Sequence, residues 1–402
     1  MNLTLRPQPL GILPFPAGLL VLPQSSDPEA PTALAQLFRG EVDGALPETW
    51  EFYRLAVNGD IEGALERLAN SPNAEEERDV HAYNQFVLAP DAATFLALCA
   101  TFNGELALLL SVAAYVSGLS DESPNPLAAD AQTSPEVLGL AWLGRAAGEI
   151  ERGDLEAALS AVDLGLTALG DASPLLAAQL QGQRASLLRE RDLGAARAAY
   201  RAALDLVRRE ASGPLVNELA VHLAVSLGTL EQEVAASSDE GGRIALLAAI
   251  EAYHEAIRAG LSAESDPDTY ALVQNNLGLA YLALPMREAK DTLRRAVAVQ
   301  AFREALRIYT RESHPEAWAS TQANLANALQ HLPSAHPVEN LAQAVEIYEE
   351  LLTVRPSALD PLGHARLLAN QANALAHLGA FAPARAKLSE AHKLFHWHGA
   401  PE

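Results

Sequence analysis

The stretch "RDLGAARAAYRAALDL" (191–206) puts Ala196, Tyr200 and Ala203 at offsets of four and three, on one face of a helix. Alanine lets a neighbouring backbone come close, and the larger side chain between fills the remaining gap. It follows "QLQGQRASLLRE" (179–190), so the two together read as helix, tight turn, helix. The same order recurs where "GDLEAALSAVDLGL" (153–166) follows "WLGRAAGEIER" (142–152). Working outward, the face returns as Ala158–Val162–Gly165, Ala249–Tyr253–Ala256, Ala298–Phe302–Ala305, Ala344–Tyr348–Leu351 and Ala384–Leu388–Ala391. One helix pair cannot bury such a face alone, so neighbouring pairs must stack.

The pattern resembles the tetratricopeptide repeat, whose landmarks are Trp, Leu-Gly, Tyr, Ala, an aromatic and Pro. Trp142 with Ala146 and Ala158 matches its early part, "NNLGLAY" (275–281) its Leu-Gly-x2-Tyr, and Ala344, Tyr348 and Pro356 its later part. The resemblance covers 136–398 and implies an all-α fold: a right-handed superhelical solenoid of about six antiparallel helix pairs. Repeat spacings exceed the family's period of about 34 residues. The excess falls in "EQEVAASSDEGG" (231–242), "QHLPSAHPVEN" (330–340) and 286–312, the last open to one long helix or two short ones. Such long repeats are similar to those of kinesin light chain, as is "ALRIYTRESHPEAWASTQANLANAL" (305–329).

Upstream, 119–135 is rich in Pro, Ser and Asp and reads as a linker or long loop. Residues 30–118 read as helical, either degenerate repeats or a small bundle. Residues 1–29 hold a Pro-rich arm expected to lie extended over apolar surface. Its prolines break any spanning helix, and no clean cleavage site follows, so neither a membrane span nor a signal peptide is expected.

Apolar residues make up 49% of the 402 but aromatics only 5%, so Ala and Leu dominate, as in closely packed helices. The net charge of −23 disfavours nucleic acid and anionic membranes as partners. Two stretches oppose that sign: 184–209 with seven Arg against three acids, and 287–311 with six Arg and one Lys against three. They read as solvated, ion-paired helix faces or as docking points for an acidic partner. Cys99, the single cysteine, excludes an intrachain disulfide and a multi-cysteine zinc site, and its apolar setting places it in the core. The expected location is cytoplasmic.

No phosphate-binding Gly loop, HExxH or GxSxG element is present, so no enzymatic activity and no cofactor are expected. His392 and His396 share one helix face, and His398 follows. Metal-capable spacing without a completing ligand fits a helix C-terminus, where cations are favourable, better than a metal site.

The asparagines remain. Asn is a mediocre helix former, because its amide competes for backbone hydrogen bonds. Yet Asn276, Asn324 and Asn370 align across three first helices, as do Tyr270, Trp318 and His364 six residues earlier. Gln274 and Gln322 also correspond, while Asn327 and Asn373 align with Leu279. The resemblance implies that first helices line the concave face, where aligned amides form a ladder; kinesin light chain and similar proteins grip extended peptides so. An amide offers both donor and acceptor, the complement of a peptide backbone. The same amides could instead bond to neighbouring repeats and serve packing. The expected function is a non-enzymatic scaffold or adaptor for a protein or peptide partner. The alternative is a self-assembling, homo-oligomeric structural component in which the groove binds nothing.

Overall fold

A computed structural model of the chain describes residues 14–71, 77–237, 242–285, 292–332 and 336–397. The described residues are all helix and loop. They form two compact units, Met1–Leu227 and Gly228–Glu402, dividing within α11. None of the described helices is long and apolar enough to cross a membrane.

The first unit opens with α1 (Ala30–Phe38), α2 (Glu51–Val57), α3 (Ile61–Ala69), α4 (Arg78–Leu88), α5 (Ala92–Cys99) and α6 (Gly104–Val116). The helix pairs α7 (Pro135–Glu151) with α8 (Leu155–Leu169) and α9 (Pro174–Leu188) with α10 (Leu193–Val207) follow. α11 (Pro214–Ala236) carries the chain into the second unit, with α12 (Gly242–Arg258). There α13 (Pro267–Ala283) pairs with α14 (Thr292–Leu306), α15 (Pro315–Gln330) with α16 (Pro337–Val354), and α17 (Pro361–His377) with α18 (Phe381–Trp397). Each pair also touches the next in chain order within its unit, the tetratricopeptide arrangement.

Local chemistry sets the helix starts. α7, α9, α13 and α17 open with a capping side chain and then Pro, which loses nothing by lacking an N–H in the first turn, while α15 opens at Pro315 after His314 with no side-chain cap. Ser134 Oγ accepts from the Val137 N–H, Ser173 Oγ from Leu176, Asp266 from Thr269 and Asp360 from Gly363. Second helices start after a tight turn: Gly153, at φ +77°, reverses the chain, and Asp154 then accepts from the Ala157 N–H at 3.0 Å. Gly59 and Asp60 do the same before α3.

The repeating triplets are the packing contacts their spacing requires. Ala158, Ala196, Ala249, Ala298 and Ala344 are all fully buried, as are Tyr253, Phe302 and Tyr348. The last triplet departs from this, since Leu388 is 55% exposed. α18 packs on α17, and no described helix follows to cover its other side.

One further expectation needs correcting. Cys99 is exposed, not buried. α5 is short and turns Phe95 and Leu98 toward the core, so the next residue, roughly 100° around the helix, faces solvent. In 286–312 the described part holds one helix, α14, while 286–291 lie outside the described residues. Residues 238–241 and 333–335 of the lengthened connections, 1–13 of the arm, and His398 also lie outside them.

The stretch 119–135 contains a 3₁₀ turn, Pro126–Ala128, and packs on α7. A Cβ at Gly148 would sit 2.5 Å from that of Ser123, and one at Gly144 would sit 3.0 Å from the Pro124 ring. Of the Arg-rich stretches, Arg184 pairs with Asp163 at 2.7 Å between α9 and α8, and Arg191, in the turn before α10, pairs with Glu156 of α8 at 3.4 Å. Arg208–Asp205 and Arg307–Glu304 pair along their own helices. Each is exposed enough to contribute little, about 0–1 kcal/mol.

Candidate functional site: the amide face of α13, α15 and α17

Three first helices of the second unit share one register. Asn276, Asn324 and Asn370 stand at the same offset from the opening prolines Pro267, Pro315 and Pro361. α13 touches α15, and α15 touches α17, so equivalent positions are brought side by side.

The side chains form two hydrogen-bonded groups. In the first, Asn275 Oδ1 accepts from Thr321 Oγ1 at 3.2 Å and from Asn324 Nδ2 at 3.3 Å, across the α13–α15 contact. Asn275 Nδ2 also donates to Asn276 Oδ1 at 3.4 Å, and Gln232 Nε2 donates to the Asn276 backbone carbonyl at 3.0 Å. In the second, the Tyr348 hydroxyl donates to Asn327 Oδ1 at 2.5 Å and accepts from Gln330 Nε2 at 2.8 Å. Asn373 Nδ2 then donates to Gln330 Oε1 at 3.2 Å, joining α17 to α15.

Of the seven residues singled out in the sequence, Asn276, Asn324, Asn327 and Asn373 belong to these groups. Asn324, whose amide a groove would leave unengaged, is engaged with Asn275 in the preceding pair. Gln274, Gln322 and Asn370 stand apart and half-buried. Asn370 makes no side-chain hydrogen bond among the described residues, and Gln322 Oε1 is buried with no donor among them. Of the three aligned residues six positions earlier, Trp318 is buried, Tyr270 and His364 half-buried; His364 Nδ1 lies 2.7 Å from the Arg355 carbonyl.

Sequence reading missed Asn275, which holds the first group together, and Gln232 and Gln330. A signal for the glutamines is present. Each follows by four residues the small residue under the gap-filling aromatic ring: Gly228 then Gln232, Ala326 then Gln330. At two of the tyrosine rings the glutamine meets the hydroxyl: Tyr253 donates to Gln232 Oε1 at 2.7 Å, and Gln330 donates to Tyr348; at Tyr200 the equivalent position is Arg189. Where the ring is Phe302, the equivalent position is Leu282. A buried hydroxyl needs a partner, so polar tip and polar partner occur together. Burial pushes Tyr253 up to about 12 and Tyr348 higher still, so both stay protonated and able to donate.

This pairing predicts that Phe302→Tyr destabilises the second unit by roughly 1–2 kcal/mol, because its hydroxyl would face Leu282. Adding Leu282→Gln should recover most of the loss. Urea denaturation of wild type, both single variants and the double variant checks this; strictly additive costs would refute the pairing.

The face is not uniform along its length. Beside the amides, α13 carries the exposed Leu272 and Leu279, α15 carries Ser320 and Asn327, and α17 carries Arg366 and Asn373. It grades from apolar to polar and basic.

No protein-family profile matches the chain, and no curated protein matches it. Among solved structures it is similar to the Cut9–Hcn1 hetero-tetramer of APC/C, at 15% identity and a TM-score of 0.38. That match covers 92% of this chain and 61% of the other, so the chain spans about three fifths of that protein's length. The apo quorum sensor NprR from B. thuringiensis matches at 13% identity and TM-score 0.38, covering 84% of this chain and 99% of the other. The P58(IPK) TPR domain matches at 13% and 0.26, covering 87% and 98%.

Proposed function

We propose that the chain is a non-enzymatic scaffold that binds an extended protein or peptide segment along the amide face of α13, α15 and α17. The observation that carries this reading is the recurrence of Asn at one offset on three adjacent first helices, ending at Asn370, whose amide makes no hydrogen bond among the described residues. Amides recognise a peptide backbone through donor and acceptor together, without selecting a side chain. Selectivity then comes from the flanks, with Leu272 and Leu279 suited to apolar side chains and Arg366 to an acidic one. The bond from Asn324 to Asn275 is long, and a ligand backbone group can replace it.

The test uses peptides selected on the whole chain from a random peptide library. Asn370→Ala should leave the melting temperature nearly unchanged, since surface substitutions stay within about ±0.5 kcal/mol. It should weaken the selected peptides by roughly 1–2 kcal/mol. Asn324→Ala should weaken them too, with a measurable loss of stability because Asn275 loses a partner. Peptides indifferent to both substitutions would refute the amide face as the binding surface.

A further inference from the structure

A second peptide-recognition geometry lies in the first unit, remote in sequence from the amide face and independent of that reading. Residues after the 3₁₀ turn Ala17–Leu19 run on without regular secondary structure, yet Leu20, Val21 and Leu22 are at most 3% exposed. Among the described residues no strand runs beside them to satisfy their backbone. Side chains do it instead. The Tyr83 hydroxyl donates to the Leu19 carbonyl at 2.9 Å, and Trp50 Nε1 donates to the Pro23 carbonyl at 2.8 Å. Asn84 takes Val21 at both ends: Oδ1 accepts the Val21 N–H at 2.9 Å, and Nδ2 donates to the Val21 carbonyl at 2.6 Å. The Glu77 carboxylate accepts the Gln24 N–H at 2.9 and 3.1 Å. Glu77, the residue just before α4, and Asn84 within it are seven residues apart, about two helical turns, and form one stripe.

We propose that this stripe, with Tyr83 and Trp50, is a peptide-binding slot occupied in cis by the chain's own Leu19–Gln24. Its ligand class is an extended apolar peptide read mainly through its backbone. Asn84 and Tyr83 are fully buried and Trp50 nearly so, which makes these contacts a built site and not surface decoration. All four recognition side chains reach backbone atoms, so the geometry does not depend on the segment's being joined to the rest of the chain. The connection to α1 is slight. Ser26–Glu29 are exposed, and the hydrogen bonds within the connection, from Asp27 N–H to Ser25 Oγ and from Glu29 N–H to Asp27 Oδ1, are local. A short tether gives the segment a high effective concentration, which keeps the slot filled against a competitor in solution. Severing the tether removes that advantage and leaves the recognition intact.

The experiment uses the full chain with a specific protease site inserted between Ser26 and Asp27. After cleavage, a fluorescent synthetic peptide with the sequence of residues 14–25 is added and followed by anisotropy. The labelled peptide should exchange into the slot, be competed by its unlabelled form, and ignore a scrambled sequence. A peptide N-methylated at the position of Val21 lacks the N–H that Asn84 accepts and should bind at least about tenfold more weakly. This arm leaves the protein unaltered, so folding cannot confuse it. Glu77→Ala in the protein should weaken the parent peptide by about three- to tenfold. Three results would each overturn the proposal: entry of the N-methylated peptide as well as the parent, a fragment retained without exchange, or loss of helical signal once the fragment leaves. The last two would make the segment an integral part of the core.

Discussion

Gly278→Ala should destabilise the second unit by roughly 1–3 kcal/mol, the usual cost of overpacking a tight core. The direction opposes helix propensity, because alanine in place of a mid-helix glycine ordinarily gains about 0.5–1 kcal/mol. Here a Cβ at position 278 would lie 2.5 Å from the ring of Phe302, closer than non-bonded carbons can come. The ring is fully buried. Gly228 stands in the same relation to the Tyr253 ring, also at 2.5 Å, and Gly228→Ala should behave alike. Gly59→Ala would not be a fair comparison, because its φ of +82° strains any side chain. The diagnostic is a double-mutant cycle in urea. Phe302→Leu alone loses ring packing, but combined with Gly278→Ala it should cost less than the sum of the two, since the smaller residue relieves the clash. Additive costs, or a stabilised Gly278→Ala, would show that the ring does not press on position 278.

The larger effect is expected at Asn84. Asn84→Ala strands the Val21 N–H and carbonyl together in a buried site. Each unsatisfied group costs about 1–3 kcal/mol, so the loss should be roughly 2–6 kcal/mol and confined to the first unit. Asn84→Asp distinguishes loss of both bonds from loss of one. A carboxylate can accept from the Val21 N–H but faces the Val21 carbonyl with like polarity, whereas the protonated acid can donate to it. Burial favours the neutral acid, so its folded-state pKa lies above the usual Asp value of about 3.9. The unfolded chain then ionises first as pH rises. The deficit of Asn84→Asp relative to wild type should therefore be smallest near pH 4 and grow as pH rises above it. Comparing both proteins at each pH cancels the acid response common to them. A deficit independent of pH would mean that the folded chain takes the carboxylate as readily as the acid, so that neither burial nor the Val21 carbonyl penalises a group unable to donate there.

Much of the architecture was legible from spacing. Ala196, Tyr200 and Ala203 announce a buried helix face because offsets of four and three admit no other regular arrangement, and burial follows at each. Cys99 was misread, because an apolar neighbourhood in sequence says nothing about which side of a short helix faces the core. Leu388 fits its local pattern, but whether it is buried depends on a neighbouring helix that the pattern does not contain.

The candidate site divides along the same line. Alignment of repeats was enough to single out Asn276, Asn324 and Asn370, because equivalent positions in stacked repeats must lie side by side. What each amide bonds to is a matter of ångströms between helices far apart in the chain. Asn324 meets Asn275, Asn327 meets the Tyr348 hydroxyl, and Asn370 meets nothing described. Likewise the Pro-rich arm declared itself unable to form a helix, since each proline removes a donor and restricts its neighbour. That its carbonyls and N–H groups would be taken up by Tyr83, Asn84, Trp50 and Glu77 was not written in its own residues. By itself the sequence determined helix, repeat and register, which follow from periodicity along one chain. Only the tertiary structure decided hydrogen-bond partners and occupied slots, because those depend on how separate helices approach one another, and a single sequence does not encode such distances locally.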